Sequence, residues 1–302
     1  MNNIQLMNNF DLDANRNHLL WRYVDFPRLI SLLHTRELVF IRPDFLGDPW
    51  EGLPSIPATE AALKKNINED LFQPLDCSQA TEDLIRFRNS YRTTLSQYAV
   101  SCWYMQKDES AAMWDKYADS GLVIQSSVGK LLDSLQSVER QIMVGRVAYR
   151  SPESAEWISD APQSLFQKRK SYCHEEEFRL VVSLTPGEIK AMADYEDTNG
   201  QFWGLVKGSS GTLNLCSGNI HRTLPGVRIL KGGIPIPVNL ESLVDTIYTS
   251  PALQDWALDL VQELLKKFQL DKHVTRSQCG LIHPFVTPML VVAGLEKKTK
   301  PA

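Results

Sequence analysis

Apolar and polar positions alternate through EEEFRLVVS, Glu175 to Ser183. In an extended chain Phe178, Leu180 and Val182 point one way, and Glu175, Glu177 and Arg179 the other. The alternation predicts a core strand over Phe178 to Val182 with one polar side. Apolar runs predict further strands at Trp21 to Val24, Leu38 to Arg42, Val100 to Trp103, Leu122 to Gln125 and Val144 to Tyr149. Helical spacing replaces alternation in FPRLISLLHTRE, where Leu29, Leu32 and Leu33 share a face. It returns in DESAAMWDKYAD with Met113, Trp114 and Tyr117, before Gly121, and again from Val128 to Val138. ALQDWALDLVQELLKKFQL gives the clearest helix, with an apolar stripe read as Trp256, Leu260, Leu264 and Leu265. The polar stretch from Ala58 to Tyr98 is helix-compatible, with a break near Pro74.

Strands and helices intermingle without a regular βαβ repeat, so the pattern predicts an α+β fold with one strand-rich core and interspersed helices. Residues 1–16 read as a flexible arm and 17–270 as a single domain, with an insertion at about 186–226. Residues 271–302 read as a C-terminal extension ending in a basic tail. KGSSGTLNLCSG lacks the ending of a phosphate loop and reads as a loop beside a short strand.

A chain of 302 residues with 43% apolar and 23% charged residues can bury a sizeable core. Its net charge of -4 argues against wrapping nucleic acid, though a local basic patch is compatible with it. Five scattered cysteines make no disulfide framework, which points to a reducing cytoplasm. The opening MNNIQLMNNFDLDANRN lacks the basic and apolar regions of a signal peptide, and no apolar run suits a membrane span. The six histidines show no metal-ligand spacing, so no metal is expected.

Three polar groups remain. RPDFLGDPWEG carries Asp48 and Glu51 in a turn-rich corner, which is either a plain turn or a rigid pocket rim with an orienting carboxylate. Arg22 shares its strand side with Leu20. If it points inward, it needs an acid such as Asp48 or Glu177, or a bound anion. Met113, Trp114 and Tyr117 read first as core packing, with the Tyr117 hydroxyl available to a pocket. Together Arg22, Asp48, Glu51, Tyr117, Lys168, Glu175, Glu177 and Arg179 are expected to converge, as a site or as a buried ion network.

LWRYVDFPRLISLLHTRELVFIRPDFLGDPWEG, SCWYMQKDESAAMWDKYADSGLVIQSS and KRKSYCHEEEFRLVV resemble the successive hallmarks of the bacterial domain of unknown function 2971 family. The matching pieces are Arg22 and Tyr23; Asp48, Pro49 and Glu51; Trp114, Tyr117 and Gly121; and Lys168, Tyr172, Glu175, Glu177 and Arg179. Trp50 departs from the usual Phe. The resemblance covers roughly residues 19 to 183 and names a scaffold rather than a reaction.

More remotely, the order of strand, helix, strand and late glutamate is similar to the ADP-ribosyltransferase fold of DNA-modifying toxins. That resemblance implies NAD as cofactor, with Arg22 holding the dinucleotide. Tyr117 would stack on nicotinamide, although its helical setting departs from the usual strand, and Lys168 is a further cofactor-binding candidate. Glu175 or Glu177 would stand at the catalytic glutamate that polarises a ribose hydroxyl; Glu177, nearer the regular strand, is preferred, and Glu175 could instead orient the acceptor. Asp48, Glu51, Trp114 and Arg179 are read in structural or orienting roles.

Arg22, Arg42, Lys168, Arg169 and Lys170 would supply the phosphate contacts of a nucleotide or nucleic-acid partner. The readings therefore divide three ways. They are ADP-ribosyl transfer to nucleic acid or protein, another nucleotide or nucleic-acid chemistry, and a non-catalytic protein-interaction module of a defence or toxin-like system.

Overall fold

The computed structural model describes residues 3–48, 50–57, 59, 91, 93–154, 156–197, 204–207, 213–216 and 232–279. Among these the strands are β1 (Ile4–Leu6), β2 (Leu19–Val24), β3 (Glu37–Ile41), β4 (Tyr98–Tyr104), β5 (Leu122–Ser127), β6 (Ile142–Arg146) and β7 (Ala148–Arg150). The remaining strands are β8 (Gln167–Arg169), β9 (Glu177–Ser183), β10 (Gly204–Lys207), β11 (Leu213–Cys216), β12 (Gly233–Pro237), β13 (Thr246–Thr249) and β14 (His273–Arg276). The helices are α1 (Leu12–Asn15), α2 (Phe26–Thr35), α3 (Ala111–Tyr117), α4 (Val128–Ser134), α5 (Pro186–Asp197), α6 (Leu240–Leu243) and α7 (Asp255–Lys267).

The protein is mixed α/β. Its ten-stranded sheet runs β1-β6-β9-β4-β2-β5-β13-β14, with β3 and β12 branching from β4. β1 and β6 pair parallel, as do β13 and β14, while the other neighbours are antiparallel. β4 is the branch point. Its one edge is covered by β9 from Tyr98 to Tyr104. Its other edge meets β3 only at Val100 and β2 only at Tyr104. Ser101, Cys102 and Trp103 therefore face a fork in the sheet.

The alternation in β9 is realised. Phe178, Leu180 and Val182 are fully buried in the main apolar core with Leu20, Leu29, Leu33, Phe40, Trp103 and Val144. On the reverse side Val100, Met143, Leu165, Phe166 and Val181 form a second cluster. A third, of Trp21, Tyr23, Met113, Trp114 and Val123, seats α3 against β2 and β5. Local signals set these helices. The Asp25 side chain caps α2 by accepting from the Arg28 N–H at 2.8 Å, and Ser110 caps α3 by accepting from the Met113 N–H.

Several expectations need correction. Within the expected loose arm, Ile4 to Leu6 form an edge strand on β6. The close approach there needs Gly145, where a Cβ would lie 2.9 Å from the Met7 carbonyl oxygen. The strand expected over Val144 to Tyr149 divides into β6 and β7, and β7 leaves the main sheet to pair with β8. Glu175 lies in a 3-10 turn, Lys170–Glu175, rather than in extended chain. Glu176 closes that turn in the left-handed conformation with φ 35°.

The buried face of α7 is Ala257, Val261 and Leu265, while Trp256 is 59% exposed. Bulky side chains drew the stripe one position too early, because small Ala257 carries little hydrophobic signal. Inside the expected C-terminal extension, β14 joins the main sheet beside β13. In the expected insertion, α5 is followed by the β10–β11 hairpin. The break near Pro74 and the basic tail lie outside the described residues. No helix among the described residues is long and apolar enough to cross a membrane.

Candidate functional site

Four pieces of chain meet on the side of β9 opposite the main core. β9 contributes Glu177 and Arg179, the turn before it contributes Glu175, β8 contributes Lys168, and the corner after β3 contributes Glu51. Parity places Glu177 and Arg179 here, two residues apart on one strand side. Arg179 has room because its ladder neighbours are Gly145 and Cys102, both small. Gly52, at φ +66°, turns the corner that delivers Glu51.

The hydrogen bonds are dense. Arg179 donates from Nε to Glu177 Oε2 at 2.7 Å, and from Nη1 to Glu51 Oε1 and to the Leu165 carbonyl. Lys168 Nζ donates to Glu177 Oε1 at 2.8 Å and to Glu175 Oε2, and lies 3.8 Å from Glu51 Oε2. Both oxygens of Glu177 are thus held by cations. Tyr149 in β7 completes its setting, its hydroxyl accepting from the Glu177 N–H at 2.9 Å. Glu175 Oε1 faces outward and accepts from the Tyr117 hydroxyl at 2.7 Å and from Lys116 Nζ. Lys116, Lys168 and Arg179 balance Glu51, Glu175 and Glu177.

Burial of this completeness demands such balance, since an unpaired interior charge is strongly unfavourable. Arg179 is 0% exposed and Glu175 1% exposed. Burial opposes ionisation of Glu177, but the Arg179 and Lys168 charges outweigh it and hold the carboxyl well below its ordinary range. Burial likewise acts against the charge of Arg179, yet Glu177 and Glu51 raise its pKa well above the usual value. Lys168 is raised by the same two carboxylates against its own burial.

Glu51 is the weak member. Burial raises its pKa despite Arg179, and Oε2 has no hydrogen bond. The Cys102 thiol, across the ladder from Arg179, is pushed by burial up to about 12 and is no nucleophile.

The network opens to solvent at one end. Tyr117 is 42% exposed and Lys116 is also exposed. Lys116 Nζ lies 5.1 Å from the Tyr117 ring centroid and 5.2 Å from that of Tyr172. Lys168 and Arg169 also lie over Tyr172, at 4.7 and 5.3 Å. Burial, with the hydrogen bond to Glu175, raises the Tyr117 hydroxyl pKa, so it stays protonated as a donor.

Of the eight residues expected to converge, Glu51, Tyr117, Lys168, Glu175, Glu177 and Arg179 form this one network. Asp48 stands beside it, paired with Arg169 at 2.6 Å and accepting from the Trp50 N–H at 3.0 Å, not with Arg22. Arg22 belongs elsewhere. It approaches the fork from the side of Ser101 and Trp103, donates to Ser101 Oγ at 3.2 Å and to the Cys102 carbonyl, and lies 5.7 Å from the Trp103 ring. No carboxylate pairs with it among the described residues. It substitutes for ladder partners that the fork removes from β4.

Trp114 acts through packing. It is edge-on to Tyr23 at 5.3 Å and donates to Glu109 at 2.9 Å, which fixes α3 and hence Tyr117. Of the basic residues expected at phosphate, Arg42 is buried against Asp44 and Lys168 lies inside the network. Arg169 and Lys170 reach solvent.

Sequence reasoning missed Lys116 and Tyr149. Lys116 could have been found, being one residue before Tyr117 at the helix end. Tyr149 carried no signal, because the departure of β7 from the sheet is a tertiary event. No group of metal-capable residues is found among the described residues. No family model matches the chain, and comparison with curated proteins finds no match.

Proposed function

We propose that this protein is a binding module for a nucleotide or nucleic-acid segment, in which the buried ion network holds the recognising surface rather than performing turnover. The observation that carries this reading is Glu175. Fully buried, it holds both the exposed Tyr117 hydroxyl and the exposed Lys116 ammonium, so two side chains that would otherwise be mobile are fixed in advance. The fixed Tyr117 ring beside the Lys116 ammonium, which also lies over the Tyr172 ring next to the Arg169 guanidinium, suits a planar base joined to an anionic group.

Membership in the domain of unknown function 2971 family belongs to the same reading. It is supported by the way the motif residues Tyr117, Lys168, Tyr172, Glu175, Glu177 and Arg179 meet through direct contacts. The test is direct titration of adenosine and AMP, with Tyr117→Ala as control. Binding to the native protein, weakened in a variant of unchanged fold, is the expected result. Absence of binding by both ligands would remove the reading.

ADP-ribosyl transfer within an ADP-ribosyltransferase-like fold is the second reading. The forked sheet favours it, since Arg22 stands at the gap on β4 and β9 begins with Glu177 on the next strand. As arranged, the residues do not fit NAD turnover. Glu177 is buried with each oxygen already held by a cation, and Arg22 is committed to the backbone. Turnover would require the enclosure around that carboxylate to open. Nicotinamide release from NAD, lost in Glu177→Gln and kept in Glu176→Gln, would place this reading first.

A further inference from the structure

β7 and β8 form a separate parallel ribbon in which Ala148, Tyr149 and Arg150 stand opposite Gln167, Lys168 and Arg169. Tyr149 and Lys168 leave one side of this ribbon and enter the ion network. Arg150 and Arg169, directly opposite each other, must leave the other side together. Two like charges in register across a ladder repel, unless something negative lies between them.

The two guanidiniums are treated differently. Arg169 is held by Asp48, from Nη2 to Oδ1 at 2.6 Å and from Nε to Oδ2 at 3.3 Å, and its Nη2 lies 3.5 Å from the Tyr172 hydroxyl. Arg150 has neither an ion pair nor a hydrogen bond with any described residue, and its Nη1 is buried without an acceptor. A charged donor withdrawn from water without a partner is costly, and so is uncommon in a folded protein. Asp48 neutralises one arginine of the pair, which leaves about one positive charge at Arg150.

We propose that Arg150, with Arg169 beside it, forms a phosphate site. A guanidinium presents a planar fork of donors that matches phosphate oxygens. Phosphate has enough oxygens to meet the free fork of Arg150, and the Arg169 Nη1, which Asp48 leaves unused, is a further donor on the same side of the ribbon. A carboxylate matches less well, having two oxygens for two guanidiniums. The group is either free phosphate or the phosphate of a nucleotide. The second source rests on the reading proposed above: Arg169 lies over Tyr172, and Lys116 lies over both Tyr172 and the Tyr117 ring proposed to receive the base.

The experiment titrates inorganic phosphate, AMP and adenosine separately into the native chain, Arg150→Met and Arg150→Lys, at constant ionic strength, by calorimetry. Phosphate and AMP should bind the native protein. Arg150→Met should lose about tenfold or more in affinity for both, the equivalent of one charge-assisted contact. Arg150→Lys, which keeps the charge and loses the fork, should fall between. Without ligand, Arg150→Met should melt above the native protein, because the substitution removes an uncompensated charge and no described contact.

Absence of phosphate binding to the native chain, or equal affinity in Arg150→Met, would overturn the site. If Arg150→Met fails to fold, unchanged phosphate affinity in Arg150→Lys overturns it in the same way, and a loss there supports it. Adenosine separates the two claims. Phosphate binding without any binding of adenosine or AMP keeps the site and defeats the nucleotide reading. Adenosine binding without phosphate binding does the reverse.

Discussion

On one side of β9, Phe178, Leu180 and Val182 lie among aliphatic and aromatic neighbours; on the other, Glu177 and Arg179 are as thoroughly enclosed but meet charges. The apolar side gains from each group removed from water, about 1.5–3 kcal/mol per large side chain, whatever its exact partner. The ionic side first loses the hydration of five charges and recovers it only through particular pairings. Packing on the first side is therefore tolerant of substitution by similar shapes. On the second, the removal of one partner leaves its neighbours charged and enclosed. The same strand thus carries a forgiving surface and an unforgiving one, two residues out of phase.

The sharpest break in this comparison comes from Arg179→Met. It strands Glu51 and Glu177 beside a single Lys168, and urea unfolding near neutral pH should show a loss of about 3–5 kcal/mol. The loss should depend on pH. In the native protein Glu177 sits below its ordinary value of 4.5, so its stabilisation is complete above that value and disappears as pH falls through the lower, folded one. Without Arg179 both carboxyls lose a cation that lowers their pKa, so each moves up from its native position and the variant's deficit grows as pH rises. The gap between variant and native protein should close toward acid. A gap independent of pH would show that Arg179 acts by packing alone.

Leu180→Ala supplies the contrast from the apolar side. A loss of about 2–5 kcal/mol is expected, with no change in that difference between acid and neutral conditions. Closer to the surface, Tyr117→Phe removes one hydrogen bond to Glu175 and should cost about 1 kcal/mol by thermal unfolding. It should also weaken ligand binding, as the ring loses its anchor. Smallest of all is Glu176→Gln. Its exposed pair with Arg146 at 2.9 Å is screened by solvent, and under about 1 kcal/mol should be lost. A larger effect would extend the ionic side to a residue of the opposite parity.

What the sequence by itself determined was mostly local. Alternation in FRLVV assigned the two sides of β9, and the Leu29, Leu32 and Leu33 spacing assigned the inner face of α2, because each depends only on backbone period and burial. The grouping of Lys168, Glu175, Glu177 and Arg179 was also legible, since acids and bases clustered so tightly at the start of a strand have to be reconciled with one another. What the fold decided was which charge meets which. Asp48 took Arg169 in place of Arg22 because the corner after β3 lies against β8, a contact between residues 121 positions apart in the chain. Arg22 went to the backbone of β4 because the sheet forks there, and a fork leaves no trace in the periodicity of either strand. Arg150 and Arg169 became neighbours because β7 leaves the main sheet, and parity within one strand says nothing about its partner. Hydrophobic burial can be read from a pattern because it needs only an interior; ion pairing cannot, because it depends on distances of a few ångströms between segments that meet only once the chain has folded.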